Sequence, residues 1–455
     1  MFGGLPSEQD NKVDSLAAHL HDGTVGTVRI LASQVAEATG GYLVGPDVVV
    51  DGASFDSRST TSGQLFVPIV AERNGHEFIE AALQAGAAAY VTSEPSRGGS
   101  AIVVDDTSDA LMALAASARR RLAIPVIGVT GSVGKTSTKD LIAAALGATR
   151  RITASVRSFN NEQGLPVTIL GARDDTEALV VEMGMRGFGE IRRLCAVASP
   201  TIGIVTAVAD AHTERVGGIE GVARAKRELV EALPASGVAV LNADDHRVVA
   251  MAAHTAAAVV TYGVTGDVRV SRLALDDLAR PRFTIESPWG RGIVQLAVSG
   301  EHMAFNAAAA LATVGIVEGT IDAAIDALAT AQVSGMRMEV RRADSGAVIV
   351  NDAYNANPDS MRAALRALSQ IGTGRRFAVL GVMAELDDPA AGHREVAEFA
   401  ANLGITVIAV GTDYYGVTSV GDPIEVLGEI GVGDAVLVKA SRVAGLERIV
   451  TALLA

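Results

Sequence analysis

Short apolar runs alternate with amphipathic stretches along most of the chain, and glycines or prolines stand at many of the junctions. Val126–Thr130, Ala178–Glu182, Ile202–Val208 and Val238–Leu241 are apolar at nearly every position, and helical spacing fills the gaps at Ser137–Leu146, Gly189–Val197 and Gly221–Leu233. Continuous apolar strands alternating with helices predict a parallel sheet covered on both faces, since a sheet with one wet face would alternate apolar and polar positions. Val268–Gly300 is β-rich and suits hairpins added at one edge of that sheet. A second βα series starts near Gly335, with strands at Ala347–Val350, Phe377–Leu380, Thr406–Val410 and Ala435–Val438 and helices from Asp359 and Pro389. Before residue 122 the pattern is shorter-ranged. It has strand-like Val48–Val50, Leu65–Val70 and Ala88–Thr92, helix-like Phe78–Ala85, and an Ala-rich helix Asp109–Leu122 that ends before Pro125. These shifts predict an α/β protein of three domains, residues 1–122, 123–333 and 334–455, without an internal repeat.

Composition narrows the classes of function. Hydrophobic residues make up 49% of the 455 positions and charged residues 20%, which describes a packed protein rather than a disordered one. The net charge of −14 and the absence of a dense Lys/Arg tract argue against a general nucleic-acid binder, which needs a basic face to neutralise phosphates. Arg119-Arg120-Arg121 is the densest basic run and reads as a solvated helix end. The single cysteine, Cys195, excludes an internal disulfide and lies in an apolar-patterned stretch where a buried, inert thiol is expected. Met1–Ser15 is polar and acidic, unlike a signal peptide, and no apolar run approaches the roughly 20 residues that span a bilayer. A cytoplasmic location without membrane insertion follows as the expectation.

The strongest chemical signal is Val126-Ile-Gly-Val-Thr-Gly-Ser-Val-Gly-Lys-Thr136: an apolar strand, a glycine-rich turn, and a helix that opens on Lys135 and Thr136. That geometry points successive backbone N–H groups and a positive helix end at phosphate. Lys135 would then reach the terminal phosphates and the Thr136 hydroxyl would ligate Mg²⁺. The usual spacing places a glycine five residues before Gly134, where this chain has Val129; Gly131 stands three before it instead and shortens the loop. Read blandly, the segment is only a glycine-rich turn.

Two further strand ends carry chemistry. Glu182 closes an apolar strand, where a carboxylate can hold a hard cation against phosphates, although a surface cap would look the same. The next strand runs into Ala209-Asp-Ala-His-Thr-Glu214, in which His212 alone reads as structural. Position raises both, because successive parallel strand ends open on one crevice. Lys226, fourteen residues after His212 (226 − 212), reads by itself as a solvated helix lysine.

Taken together, these residues resemble the Mur ligases of peptidoglycan assembly over most of residues 50–445. The resemblance rests on Asp56-Ser-Arg58, Thr130–Thr136, Asn160-Asn161, Glu182-Met-Gly184, Ala211-His212 with Glu214, Ala225-Lys226, Asn242-Ala-Asp-Asp245, His302 with Asn306, Arg337, Asp352, Tyr354-Asn-Ala-Asn-Pro-Asp-Ser360 and Lys439 with Ser441-Arg442. It implies a central P-loop, parallel-sheet ATPase domain flanked by an N-terminal UDP-binding α/β domain and a C-terminal Rossmann-like domain. ATP, two Mg²⁺ sites and a carbamylated Lys226 are implied as well. Thr130, Gly131, Ser132, Val133, Gly134, Lys135 and Thr136 would bind phosphates. Thr136, Glu182, His212 and Lys226 would serve the metals, and Asp56, Ser57, Arg58, Asn160 and Asn161 the UDP-linked substrate. Asn306 would lie toward adenine, Asp352 toward ribose, Arg337 toward the phosphates from the far side, and Asn355 and Asn357 along the nucleotide. The Tyr-Asn-Ala-Asn-Pro run points to the branch that joins D-Ala-D-Ala to UDP-N-acetylmuramoyl-tripeptide, working as a monomer. Departures are Met303 in place of an asparagine, Pro68 and Ala71–Asn74 in the uridine-domain loop, Val382 in place of an aspartate and Ala440 in place of a glycine.

Other readings are a ligase of this type serving another pathway, a P-loop switch or motor, and a non-catalytic binding module. A substrate panel separates the first. ATP turnover without an acid–amine pair would mark the second, against which the His212/Lys226 couple stands. A binding module would be expected to have lost Lys135 or Glu182.

Overall fold

The computed structural model describes residues 29–209, 216–386 and 388–454. The chain forms two compact units, one of residues up to 118 with 169–176, the other of 119–168 and 177 onward.

In the first unit, β1 (Arg29–Leu31) pairs antiparallel with β3 (Val49–Asp51). A five-stranded sheet runs in the order β2 (Tyr42–Val44), β7 (Ala101–Val103), β6 (Ala89–Thr92), β5 (Leu65–Phe66), β4 (Ala53–Ser54). It is parallel except at β2. Phe66, Ile79, Ala82 and Tyr90 form its core against helix Ile79–Gln84. The strand expected over Leu65–Val70 stops at Phe66, before Pro68, which has no N–H to give a ladder.

The second unit holds two sheets. The larger has nine strands: β8 (Val126–Thr130) lies between β10 (Ala178–Glu182) and β11 (Ile202–Val205). Beyond β10 lies β9 (Ile152–Ala154), and beyond β11 follow β12 (Val238–Asn242), β13 (Ala258–Gly263) and β14 (Val268–Leu275), all pairing in parallel. Antiparallel β15 (Pro281–Ser287) and β16 (Gly290–Gln295) complete one edge, as the pattern over 268–300 predicts. Residues of β8 alternate between two covered faces. Ile127 and Val129 pack with Leu141 and Ile142, while a Cβ on Gly128 would meet Leu229 of helix Ile219–Glu231 at 3.0 Å. Burial on both faces is why the run reads as uninterrupted apolar sequence.

The smaller sheet runs β17 (Glu339–Arg342), β18 (Val348–Asp352), β21 (Ala435–Lys439), β19 (Arg376–Leu380), β20 (Thr406–Ala409) and is parallel apart from β17. Val350 and Leu437 face helix residues Met361 and Leu365, and Val438 and Ile349 face Leu446 and Ile449.

Arg119 departs from the expected solvated helix end. It is buried and donates to the carbonyls of Ala198 at 2.7 Å and Leu122 at 2.6 Å, so its fork satisfies carbonyls at two helix ends that water would otherwise have to reach. Cys195 is buried 3.6 Å from Met183 Sδ, and desolvation, then the Glu228 charge, pushes its thiol up to about 12. No helix among the described residues is long and apolar enough to cross a membrane.

Candidate active site

The carboxyl ends of β8, β10 and β11 lie side by side, and β8 turns through the glycine loop into helix Lys135–Leu146. Two glycines are required here. Gly131 and Gly134 have φ of 150° and 82°, and a Cβ would come within 1.8 Å of Thr206 Oγ1 at the first and 2.9 Å of Asn306 Oδ1 at the second. The segment after β11 leaves the ladder to hold this loop. Ser132 N–H donates to Ala207 O at 2.8 Å, and Thr206 Oγ1 donates to Val133 O at 2.6 Å. This is why the strand expected to reach Val208 ends at Val205. Lys135 folds back so that Nζ donates to Gly131 O at 2.6 Å, and desolvation lowers its pKa while Glu182 pulls it upward.

Next to the loop, Glu182 is 1% exposed. Its two oxygens accept from Thr136 Oγ1 at 2.7 Å and Asn160 Nδ2 at 2.7 Å. The surface-cap reading of Glu182 is therefore wrong. Asn160 orients the carboxylate, whereas Asn161 accepts from Gly164 N–H at 2.9 Å and starts the following helix. Lys226 is 3% exposed, so the solvated-lysine reading fails too. Burial first, and then the charge of Lys135, lower its pKa well below the ordinary lysine value. Helix Ile219–Glu231, which carries Lys226, is fastened by buried Glu228, which accepts from Gly189 N–H at 2.7 Å and Arg192 N–H at 3.0 Å at the start of helix Glu190–Ala198. His212 lies outside the described residues.

The opposite wall comes from the smaller sheet. Asp352, at the end of β18, accepts from Lys439 Nζ at 2.6 Å and Met338 N–H at 3.1 Å. Arg337 reaches across to donate to Thr136 Oγ1 at 3.0 Å, its guanidinium 3.8 Å from the Tyr354 ring centre. Asn355 and Asn357 line the same cleft. Asn357, however, has its side-chain oxygen taken by Ser360 N–H at 2.9 Å as the cap of helix Pro358–Gln370. Asn306, 8% exposed, stands against Gly134 and places its amide 3.6 Å from Met303 Sδ, so the Met303 departure becomes part of the loop's support. Ala440, a buried departure on the smaller sheet's side, packs 2.8 Å from where a Cβ on Gly381 would stand. The walls enclose a cleft of about 1070 Å³, to which Lys135, Glu182, Lys226, Arg337 and Asp352 all contribute.

In the first unit, Asp56 and Arg58 form a bidentate pair, with Nη2 to Oδ2 at 2.7 Å and Nε to Oδ1 at 2.9 Å, next to Ser57. The Arg58 hydrogen bond is the main reason that the Asp56 carboxyl sits below its usual pKa, and the Arg58 side chain is 88% exposed.

Among the described residues no three His, Cys, Asp or Glu side chains cluster in a way that could hold a metal ion. Thr136 and Glu182 instead match a cation that keeps water and substrate phosphates as most of its ligands, as Mg²⁺ does. Gly131 and Gly134 let the loop pack against Thr206 and Asn306 while it leads into the helix that opens on Lys135 and Thr136, a turn that suits phosphate, so the residues fit ATP with Mg²⁺. Sequence reasoning gave no role to Tyr354 or Ser158. The tyrosine opens the Tyr354-Asn-Ala-Asn-Pro-Asp-Ser360 run, while the serine carries no local signal.

A family model described as the Mur ligase middle domain matches residues 129–314, and one described as the Mur ligase, glutamate ligase domain matches 336–442. A UDP-N-acetylmuramoyl-tripeptide--D-alanyl-D-alanine ligase of Mycobacterium tuberculosis is 38% identical over 501 residues, covering 94% of this chain and 98% of the relative. A crystal structure of MurF from Acinetobacter baumannii superposes with a TM-score of 0.85 at 27% identity, covering 94% of this chain and all (100%) of that one. MurF ligase from Thermotoga maritima in complex with ADP gives 0.78 at 28% identity, covering 88% and 96%.

Proposed function

This chain belongs to the Mur ligase family, and on that premise we propose that it joins D-Ala-D-Ala to UDP-N-acetylmuramoyl-tripeptide with conversion of ATP to ADP, as a cytoplasmic monomer supplying peptidoglycan precursors. The observation that carries the proposal is the meeting of Thr136, Glu182 and Arg337 on one hydroxyl at the phosphate loop. A carboxylate and an amine do not condense usefully in water, so the acid has to be activated. In the proposed sequence the tripeptide carboxylate attacks the γ-phosphorus of ATP and ADP leaves. The dipeptide amine then attacks the acyl phosphate, expels phosphate and loses a proton.

The chain's own residues stabilise the charge that builds up. N–H groups of Gly131–Thr136 hold the phosphates, and Lys135 swings from its carbonyl contacts to the terminal phosphate. Thr136 and Glu182 would hold a first Mg²⁺, and His212 with Lys226 a second; such ions would supply the positive charge that three converging anions need. Lys226 as an ammonium would repel that site. Burial and the nearby Lys135 charge lower its pKa, which favours the neutral amine that can add CO₂ and release a proton; the anionic carbamate so formed would attract a metal instead. Arg337 moves from Thr136 onto the phosphates from the far wall, Asn306 lies toward adenine, Asp352 toward ribose, and Asn355 and Asn357 along the nucleotide. Asp56, Ser57, Arg58, Asn160 and Asn161 contact the UDP-linked substrate. Domain boundaries are read near 122/123 and 333/334.

The amino substrate is tested most sharply, since Val382 and Ala440 replace residues on the wall that would receive it. ADP release is measured with UDP-N-acetylmuramoyl-tripeptide and a panel of dipeptides and single amino acids. The expected result is release only when acid and amine are both present, fastest with D-Ala-D-Ala. Equal ATP turnover without the pair would overturn ligase function, and preference for another amine would redirect it to a different pathway.

A further inference from the structure

Arginine is long and flexible, so holding its guanidinium at one place against a phosphate loop costs rotamer freedom that something must offset. At Arg337 the surrounding geometry does this in several ways. The flanking residues Met336 and Met338 both have positive φ, 60° and 50°, a strained state that persists only where neighbours impose it. Tyr354 N–H donates to Met336 O at 3.3 Å, and the Tyr354 ring lies under the guanidinium at 3.8 Å. The Tyr354 hydroxyl is hydrogen-bonded to Ser158 Oγ. Ser158 follows Arg157, whose carbonyl accepts from Lys139 Nζ at 3.2 Å, and Lys139 is a buried residue of the helix that begins with Lys135 and Thr136. The contacts form a closed ring: Thr136, Arg337, Tyr354, Ser158, Arg157, Lys139, and back along one helix to Thr136.

We propose that Tyr354 is a positioning residue that sets Arg337 against the phosphate loop, and that its hydroxyl contact with Ser158 ties the two walls of the cleft together. The proposal rests on the reading that Arg337 acts on phosphate. Tyr354 does not touch the reacting atoms; it acts through the arginine. An arginine already stacked and aimed loses little further freedom when nucleotide arrives, so the benefit belongs in kcat and in the KM for ATP rather than in the KM for the UDP-linked substrate.

ADP release by the full chain is measured with ATP, UDP-N-acetylmuramoyl-tripeptide and D-Ala-D-Ala for Arg337→Ala, Tyr354→Ala, Tyr354→Phe, Ser158→Ala, Arg337→Ala/Tyr354→Ala and Tyr354→Phe/Ser158→Ala. Arg337→Ala is expected to lower kcat about hundredfold, and Tyr354→Ala about tenfold with the KM for the UDP-linked substrate unchanged. Tyr354→Phe keeps the stack and folds alike, and loses about threefold. Once Arg337 is alanine, Tyr354→Ala costs nothing more, and the Tyr354→Phe/Ser158→Ala double variant is no worse than either single one. If Arg337→Ala leaves kcat intact, the underlying reading of Arg337 falls. If Arg337→Ala is impaired but Tyr354→Ala costs just as much without the arginine as with it, or nothing in either case, the positioning role is overturned and the reading of Arg337 stands. Additive losses for Tyr354→Phe and Ser158→Ala would overturn the tie through Ser158.

Discussion

On the central wall of the cleft, Thr136, Glu182 and Asn160 hold one another through two 2.7 Å hydrogen bonds at the ends of neighbouring parallel strands, and all the groups lie on a helix, strand or loop of the same sheet. On the opposite wall, Asp352 is paired with Lys439, Asn357 caps a helix, and Arg337 crosses the gap from a segment with two left-handed methionines. The contrast separates two tasks. Thr136, Glu182 and Asn160 on the central wall are assembled before substrate arrives, as suits groups whose reorientation would cost part of the rate. The C-terminal wall keeps its charges neutralised within its own sheet and sends one cation across, so its contribution depends on how the cleft is closed.

Removing the cation that the central wall brings to the phosphates should cost most. Lys135→Ala is expected to lower ADP formation by about a thousandfold or more while UDP-substrate binding, followed by calorimetry, stays within about twofold. A variant that keeps turning over would place the phosphate-binding cation elsewhere. Lys226 comes next and carries the pH dependence. Its pKa is lowered, so the amine is neutral and open to CO₂ above that lowered value and protonated below it. Carbamate, and activity with it, should be lost as pH falls and retained on the mildly alkaline side. A carbamate resonance in protein equilibrated with isotope-labelled bicarbonate checks this, with Lys226→Arg as the control. No signal on the alkaline side would remove the carbamate from the account. The Tyr354 substitutions on the other wall lie at the small end of the same scale, about three- to tenfold.

How much of this could be read beforehand follows burial. Val126–Thr130 and Ala178–Glu182 are both strands at the expected bounds, because strands buried on two faces leave unbroken apolar runs. Glu182 closes such a run, but read alone it suits a surface cap equally well, and only its burial decides against that. Lys226 did not, since a lysine on an amphipathic helix looks solvated until the neighbouring helix is packed on it. Arg119 was misread for a related reason: three adjacent arginines look alike, and only tertiary packing turns one inward to carbonyls some eighty residues away. The capping role of Asn357 was available in Asn-Pro-Asp-Ser, a cap residue before a proline at the first helical position with serine at the third. The Arg337–Tyr354–Ser158 chain was not available at all, because it joins side chains from distant segments whose spacing follows no period.

The account's central claim is that these two walls gather cations around a triphosphate so that a carboxylate becomes phosphorylated. It is tested by carrying heavy-oxygen label in the terminal carboxylate of UDP-N-acetylmuramoyl-tripeptide through one turnover with ATP and D-Ala-D-Ala, then analysing the released phosphate by mass spectrometry. The prediction is one labelled oxygen transferred to each phosphate released. Unlabelled phosphate, with ADP and the ligated product formed at the normal rate, would contradict it.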